Sequence, residues 1–200
     1  MHHSLRAIGI DDGYFPPHFK GRKGRTVVVA VLMENIKLVD AELDLVYVDG
    51  DECTAKVIEL ISRLGSSGRA DVVLLDGVTY AGFNYVNPYV VFEKTGIPTL
   101  TIFRYPLDLN EVLKALRKNF TDYEGRFAII RNVYLNSIKI TSDKGTIEVT
   151  PVGIDEEKAY EVVTSLQYTS ATPEPLRIAD IIASGISITT YRALRISLST

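Results

Sequence analysis

Two aspartates in this 200-residue chain each end an apolar run and precede a turn, in Ile8-Gly-Ile-Asp11-Asp12-Gly13 and Val72-Val-Leu-Leu-Asp76-Gly77. Runs of that length and composition read as strands, so both carboxylates stand at the carboxyl ends of strands, where open α/β sheets bind their ligands. Carboxylates brought together from distant segments suit a hard divalent cation, Mg²⁺ or Mn²⁺, which takes oxygen ligands and retains water for chemistry. Such a centre serves phosphodiester hydrolysis by stabilising the attacking and leaving oxygens. Asp12 and one of Asp49, Asp51 or Glu52 are candidates to complete it. The Asp-Gly pairs are also ordinary turn chemistry, and residue type alone does not separate the two uses.

Other segments bear on what such a centre would act upon. Lys20, Arg22, Lys23 and Arg25 form a glycine-rich basic loop able to approach a phosphate backbone closely, or simply a solvated hairpin tip. Tyr80 and Tyr85, in the aromatic stretch that follows Asp76, are candidates to stack on a base, although such rings more often serve packing. With a formal charge of -3 and a pI near 5.7, the chain does not coat nucleic acid; any contact with DNA or RNA must be local. The single cysteine, Cys53, excludes an intrachain disulfide, reads as a buried thiol and fits a reducing compartment. No apolar run is long enough to span a membrane and the amino terminus lacks a signal-peptide pattern, so a cytoplasmic, soluble protein is expected. His2 and His3 carry no functional weight. Oligomeric state is not legible.

The elements that must position these groups follow from periodicity. Leu5–Ile10 and Thr26–Met33 read as a strand hairpin. A third strand alternates from Val39, with Ala41, Leu43, Leu45 and Tyr47 on an expected buried face and Asp40, Glu42 and Asp44 on a solvated one. A helix from Glu52 carries the stripe Val57, Ile58, Leu60, Ile61 and Leu64 and is expected to stop at Gly65. A central strand ends at Asp76; a further helix precedes Thr95, a strand runs from Gly96 to Phe103, and an amphipathic helix spans Asp108–Lys118. Residues 138–149 read as a hairpin, and helices begin at Asp155 and near Pro173 or Pro175. The class is α/β in one domain, residues 1–200. Its mixed sheet, antiparallel through three strands and then parallel, is flanked by helices and carries a small added β-hairpin.

These segments, with Thr95-Gly-Ile-Pro-Thr99 and Thr172-Pro-Glu-Pro-Leu-Arg-Ile-Ala-Asp180, resemble endonuclease V in order and approximate spacing. The whole chain is more closely similar to an uncharacterised archaeal domain-of-unknown-function family remotely related to that enzyme. The resemblance implies a ribonuclease-H-like three-layer fold and a Mg-dependent nuclease. It implies metal-binding roles for Asp11 and Asp76, a third ligand in Glu52 after Tyr47-Val-Asp-Gly50, and Arg104 where the enzyme has a lysine. An arginine neutralises phosphate but does not donate a proton. The chain departs from the pattern in having no histidine after His18, no prolines around Tyr47, and Gly77-Val-Thr after the central aspartate. These departures argue against inosine-directed cleavage. The competing expectations are a non-catalytic nucleic-acid or nucleotide-binding protein on the same fold and, last, a small-molecule enzyme using the aspartates as acid and base.

Overall fold

The computed structural model describes residues 4–198, with side chains placed through residue 193; His2 and His3 lie outside them. β1 (Arg6–Asp12), β2 (Arg25–Glu34) and β3 (Lys37–Tyr47) form an antiparallel meander, and β1 then pairs in parallel with β4 (Val72–Asp76), which is parallel to β7 (Thr99–Phe103). Parallel neighbours require crossovers, supplied here by α1 (Cys53–Leu64) and α2 (Pro88–Thr95). The late hairpin, β8 (Ile138–Ser142) and β9 (Gly145–Val152), is continuous with the main sheet. β9 pairs antiparallel with β7, giving the seven-stranded order β3-β2-β1-β4-β7-β9-β8. Two-residue strands, β5 (Thr79–Tyr80) and β6 (Asn84–Tyr85), pair separately.

Alternation along β1 sorts its side chains to two faces. Ile8 and Ile10 enter the core under α1, together with Val57, Leu60 and Leu64. On the opposite face α6 (Glu174–Leu198) packs its Ala179 and Ala183 against Val27, Val29 and Val31 of β2. Asp11 stands opposite Val29 in the β1–β2 register and so belongs to the α6 face. On β4, Val73 and Leu75 join the α1 core whereas Val72 and Leu74 face the cluster that includes Leu176 of α6, which puts Asp76 on the α6 face as well. α3 (Leu109–Asn119) and α4 (Tyr123–Leu135) cover Phe103 and Val78, and α5 (Glu156–Ser165) lies against the β8–β9 end.

α1 ends at Leu64 with Gly65 as its C-cap, as expected; the chain then tightens into a 3₁₀ turn over residues 65–67, so the positive φ falls on Gly68, at 117°. One local expectation is corrected. In β3 the two faces exchange environments. Glu42 and Asp44 turn toward α1, where Arg63 donates to Glu42 at 3.0 Å and Lys56 pairs with Asp44 at 3.3 Å, while Leu43 and Leu45 remain 46% and 48% exposed. The apolar row lies beyond the reach of α6, because β3 is an edge strand and α6 is centred over β1 and β2. Replacing Leu43 by Ser is therefore expected to shift stability by no more than ~0.5 kcal/mol. Leu74→Ala, in the fully buried core, should cost ~2–5 kcal/mol. Urea denaturation of both variants checks the contrast. Among the described residues no helix is long and apolar enough to cross a membrane.

Candidate functional site

The carboxyl ends of β1 and β4, adjacent and parallel, bring Asp11 and Asp76 together on the α6 face, close enough for each carboxyl to shift the ionisation of the other. Asp11 is 6% exposed. Burial first, then the negative charges of Asp76 and Asp12, push its carboxyl up to about 9, against a partial offset from the Asp12 amide, which donates to Asp11 at 2.8 Å. Asp76 is also raised, chiefly by burial, with Arg104 pulling the other way through a direct ion pair. A third carboxylate, Asp180 of α6, adds to the repulsion felt by Asp11, Asp12 and Asp76. Its role was hidden in the sequence within the run Pro-Glu-Pro-Leu-Arg-Ile-Ala-Asp180. The available signal was its one-turn spacing from Leu176 and Ala183, both on the buried stripe of α6.

Asp12 lines the same cleft as the pair, but its carboxylate, like that of Glu52, is engaged by backbone amides. Asp12, on the opposite parity of β1, accepts from the Ala81 amide at 2.8 Å, and burial raises its carboxyl to about 7. The Glu52 carboxylate accepts from the backbone amides of Tyr47 at 2.6 Å and Asp51 at 3.0 Å, which closes the turn leading into α1. The neighbouring Asp49 has φ 63° and ties three loops: it accepts from Gly21 at 2.8 Å and Phe83 at 2.9 Å, while its own amide donates to Ala81 at 2.8 Å. Asp51 pairs with Arg22 at 2.6 Å. The expectation of a stacking Tyr80 is corrected: the ring is fully buried and its hydroxyl donates to the Ile10 carbonyl at 3.2 Å, so no base can reach its face. Tyr85 is half-buried beside the Arg126 guanidinium, 5.8 Å from its ring centroid. Lys20, Arg22 and Lys23 are exposed on the β1–β2 loop, and Arg25 is exposed at the start of β2.

A cleft of about 570 Å³ opens beside the pair, with Asp11, Asp76 and Arg104 at one end and Phe83, Phe103 and Leu107 along its apolar wall. The donors meeting on the α6 face are carboxylate oxygens, the ligand type a hard divalent cation prefers, and Arg104 is the cation that pairs with Asp76. Among the described residues no three His, Cys, Asp or Glu side chains are gathered around a single point. The acidic groups assembled on this face are thus the Asp11–Asp76 pair, with Asp180 adding negative potential from α6.

A family model described as endonuclease dU matches residues 3–187. A UPF0215 protein of Thermococcus gammatolerans is 36% identical over 185 residues, covering 91% of this chain and 92% of its own length. One from Sulfurisphaera tokodaii is 34% identical over 179 residues, covering 90% and 93%. Among solved structures, a protein of unknown function from Archaeoglobus fulgidus superposes with a TM-score of 0.76 at 26% identity, covering 91% of this chain and 98% of that one. Human endonuclease V superposes with a TM-score of 0.63 at 15% identity, covering 94% and 86%. Ciona intestinalis endonuclease V, in complex with a 24mer DNA containing an inosine followed by a ribo-adenosine, gives 0.59 at 15%, covering 96% and 87%. The endonuclease V likeness establishes the ribonuclease-H-like fold.

Proposed function

Because this chain belongs to the endonuclease dU family, we propose that it cleaves phosphodiester bonds in nucleic acid with the help of Mg²⁺ or Mn²⁺ held by Asp11 and Asp76. The observation that carries this reading is the meeting of those two buried carboxyl groups at the ends of neighbouring parallel strands. Asp180 reinforces the negative potential that attracts a cation. Bound there, a divalent ion supplies an activated water and neutralises charge on the phosphate. Asp12 anchors the loop after β4 through Ala81, and Glu52 shapes the turn before α1, so both act by positioning.

Arg104, 40% exposed and tied to Asp76, faces the same cleft and is placed to pair with a phosphate oxygen through its planar fork. Among the described residues no histidine lines the cleft, so the leaving oxygen takes its proton from water or from a carboxylic acid. The apolar wall of Phe83, Phe103 and Leu107 offers a surface for the flat face of a base next to the bond being cut. Arg104→Ala is expected to lower kcat/KM about 100-fold, with partial recovery in Arg104→Lys, which keeps the charge but loses the fork. Single-turnover cleavage rates check this.

The test of the reading is a cleavage assay with added Mg²⁺ or Mn²⁺ on single- and double-stranded DNA containing deoxyuridine or deoxyinosine, and on RNA. Metal-dependent cutting that chelation abolishes supports it; no cutting of any substrate with either metal overturns it. A second reading, a nucleic-acid-binding protein without cleavage, draws on the ion pair through which Arg104 occupies Asp76. Binding without turnover in the same assay would favour it.

A further inference from the structure

The β1–β2 loop begins one residue after Asp12, and from Gly13 to Met33 the chain contains no acidic residue. Within that span Lys20, Lys23 and Arg25 are exposed and form no ion pair among the described residues, whereas Arg22 is held by Asp51. Rings accompany the cations. Tyr14 is 46% exposed and its ring centroid lies 5.9 Å from that of Tyr191 on α6. The exposed His18 lies 6.3 Å from Tyr191 and meets Phe19 edge-on at 4.9 Å. Arg25 stands opposite Tyr47 in the β2–β3 register, with its guanidinium 4.2 Å above the Tyr47 ring. The next apolar residue along β2, Val27, packs under α6, so alternation puts Arg25 and Tyr47 on the α6 face too. That is the face of Asp11 and Asp76.

We infer that Tyr14, His18 and Tyr47, with Lys20, Lys23 and Arg25, form a track for single-stranded nucleic acid leading to the carboxylate pair. The inference rests on the nuclease reading for its direction but not for its existence. Exposed rings interleaved with cations that have no carboxylate partner match what an unpaired strand offers, base faces free to stack and phosphates to neutralise. A duplex hides its base faces in the stack and presents only phosphates to such a strip. The overall charge of -3 confines the attraction to this one region, consistent with local grip.

The test is fluorescence anisotropy with full-length Asp11→Asn protein in the absence of divalent metal, using labelled oligo-dT, oligo-U and a DNA duplex of the same length across a salt series. Both single strands should bind at least tenfold more tightly than the duplex. Lys20→Glu with Lys23→Glu should weaken single-strand binding at least tenfold and make the log–log salt slope shallower by about 1.4, two cations at about 0.7 each. Tyr14→Ala and Tyr47→Ala should each weaken it about tenfold with the slope unchanged, since stacking is not a counterion effect. Duplex binding equal to single-strand binding, or full affinity in the tyrosine variants of unaltered melting temperature, overturns the track. Because the assay contains no turnover, it reads the track separately from cleavage: a wild-type protein that cuts nothing but binds as stated sinks the nuclease reading alone.

Discussion

Asp11→Asn is expected to abolish metal-dependent cleavage, by at least ~10³-fold, while making the metal-free protein more stable at about pH 8. The loss of activity follows from removing one of the two carboxylates that meet at the strand ends. The gain in stability follows from what burial does to Asp11. Its carboxyl is raised from 3.8 to about 9 by desolvation and by its acidic neighbours, so the folded state holds a proton that the unfolded chain releases. Below about pH 4 both states are protonated and the residue is neutral in its effect. As pH rises from 3.8 toward 9, folding carries a growing penalty for keeping that proton or ionising in place. Asparagine carries no such penalty. The difference in melting temperature between variant and wild type should widen from pH 5 to pH 8, reaching roughly 3–10 °C for about 1–3 kcal/mol in a chain of this size. Mg²⁺ should narrow it by stabilising the wild type alone. A difference that does not change with pH would mean that Asp11 is not held as a buried acid.

Gly9→Ala is expected to destabilise the fold by ~3 kcal/mol or more and to disturb the site from a distance. A Cβ at position 9 would stand 2.3 Å from both the carbonyl carbon and the oxygen of Pro175, backbone atoms that cannot rotate away. Only withdrawal of α6 from the sheet relieves the clash, and α6 carries Asp180 as well as the residues that cover β2. The variant should therefore lose metal affinity along with stability, whereas Gly125→Ala, inside α4 with open space around it, should stabilise by ~0.5–1 kcal/mol. Thermal melts and isothermal Mg²⁺ titration of the two proteins separate them; a Gly9→Ala protein as stable as wild type would show that α6 is not seated by contact with β1.

Periodicity along the chain carries most of the architecture. Apolar runs of strand length marked β1, β2, β4 and β7, a 3.6-residue stripe marked α1, and Asp108 and Asp155 cap the helices they were expected to open. The candidate pair was readable for the same reason: a carboxylate ending an apolar run stands at a strand's carboxyl end wherever the sheet forms. Less readable were groups whose meaning depends on a partner far along the chain. Glu52 has the right residue type and neighbourhood for a ligand, yet backbone amides within five residues claim its carboxylate. Tyr80 follows Asp76 closely but turns inward beneath Ile10.

By itself the chain determined which residues share a face of each strand or helix, because that parity is set by local backbone geometry, and it placed Asp11 and Asp76 at strand ends. Only the tertiary structure decided which face is covered and what meets there. Helix α1 claims the acidic side of β3, and α6, arriving from the far end of the chain, falls short of β3's apolar row and brings Asp180 toward the pair. The physical reason is that alternation is a property of neighbouring residues. Burial depends on which distant element docks, and that depends on close approaches such as Gly9 against Pro175.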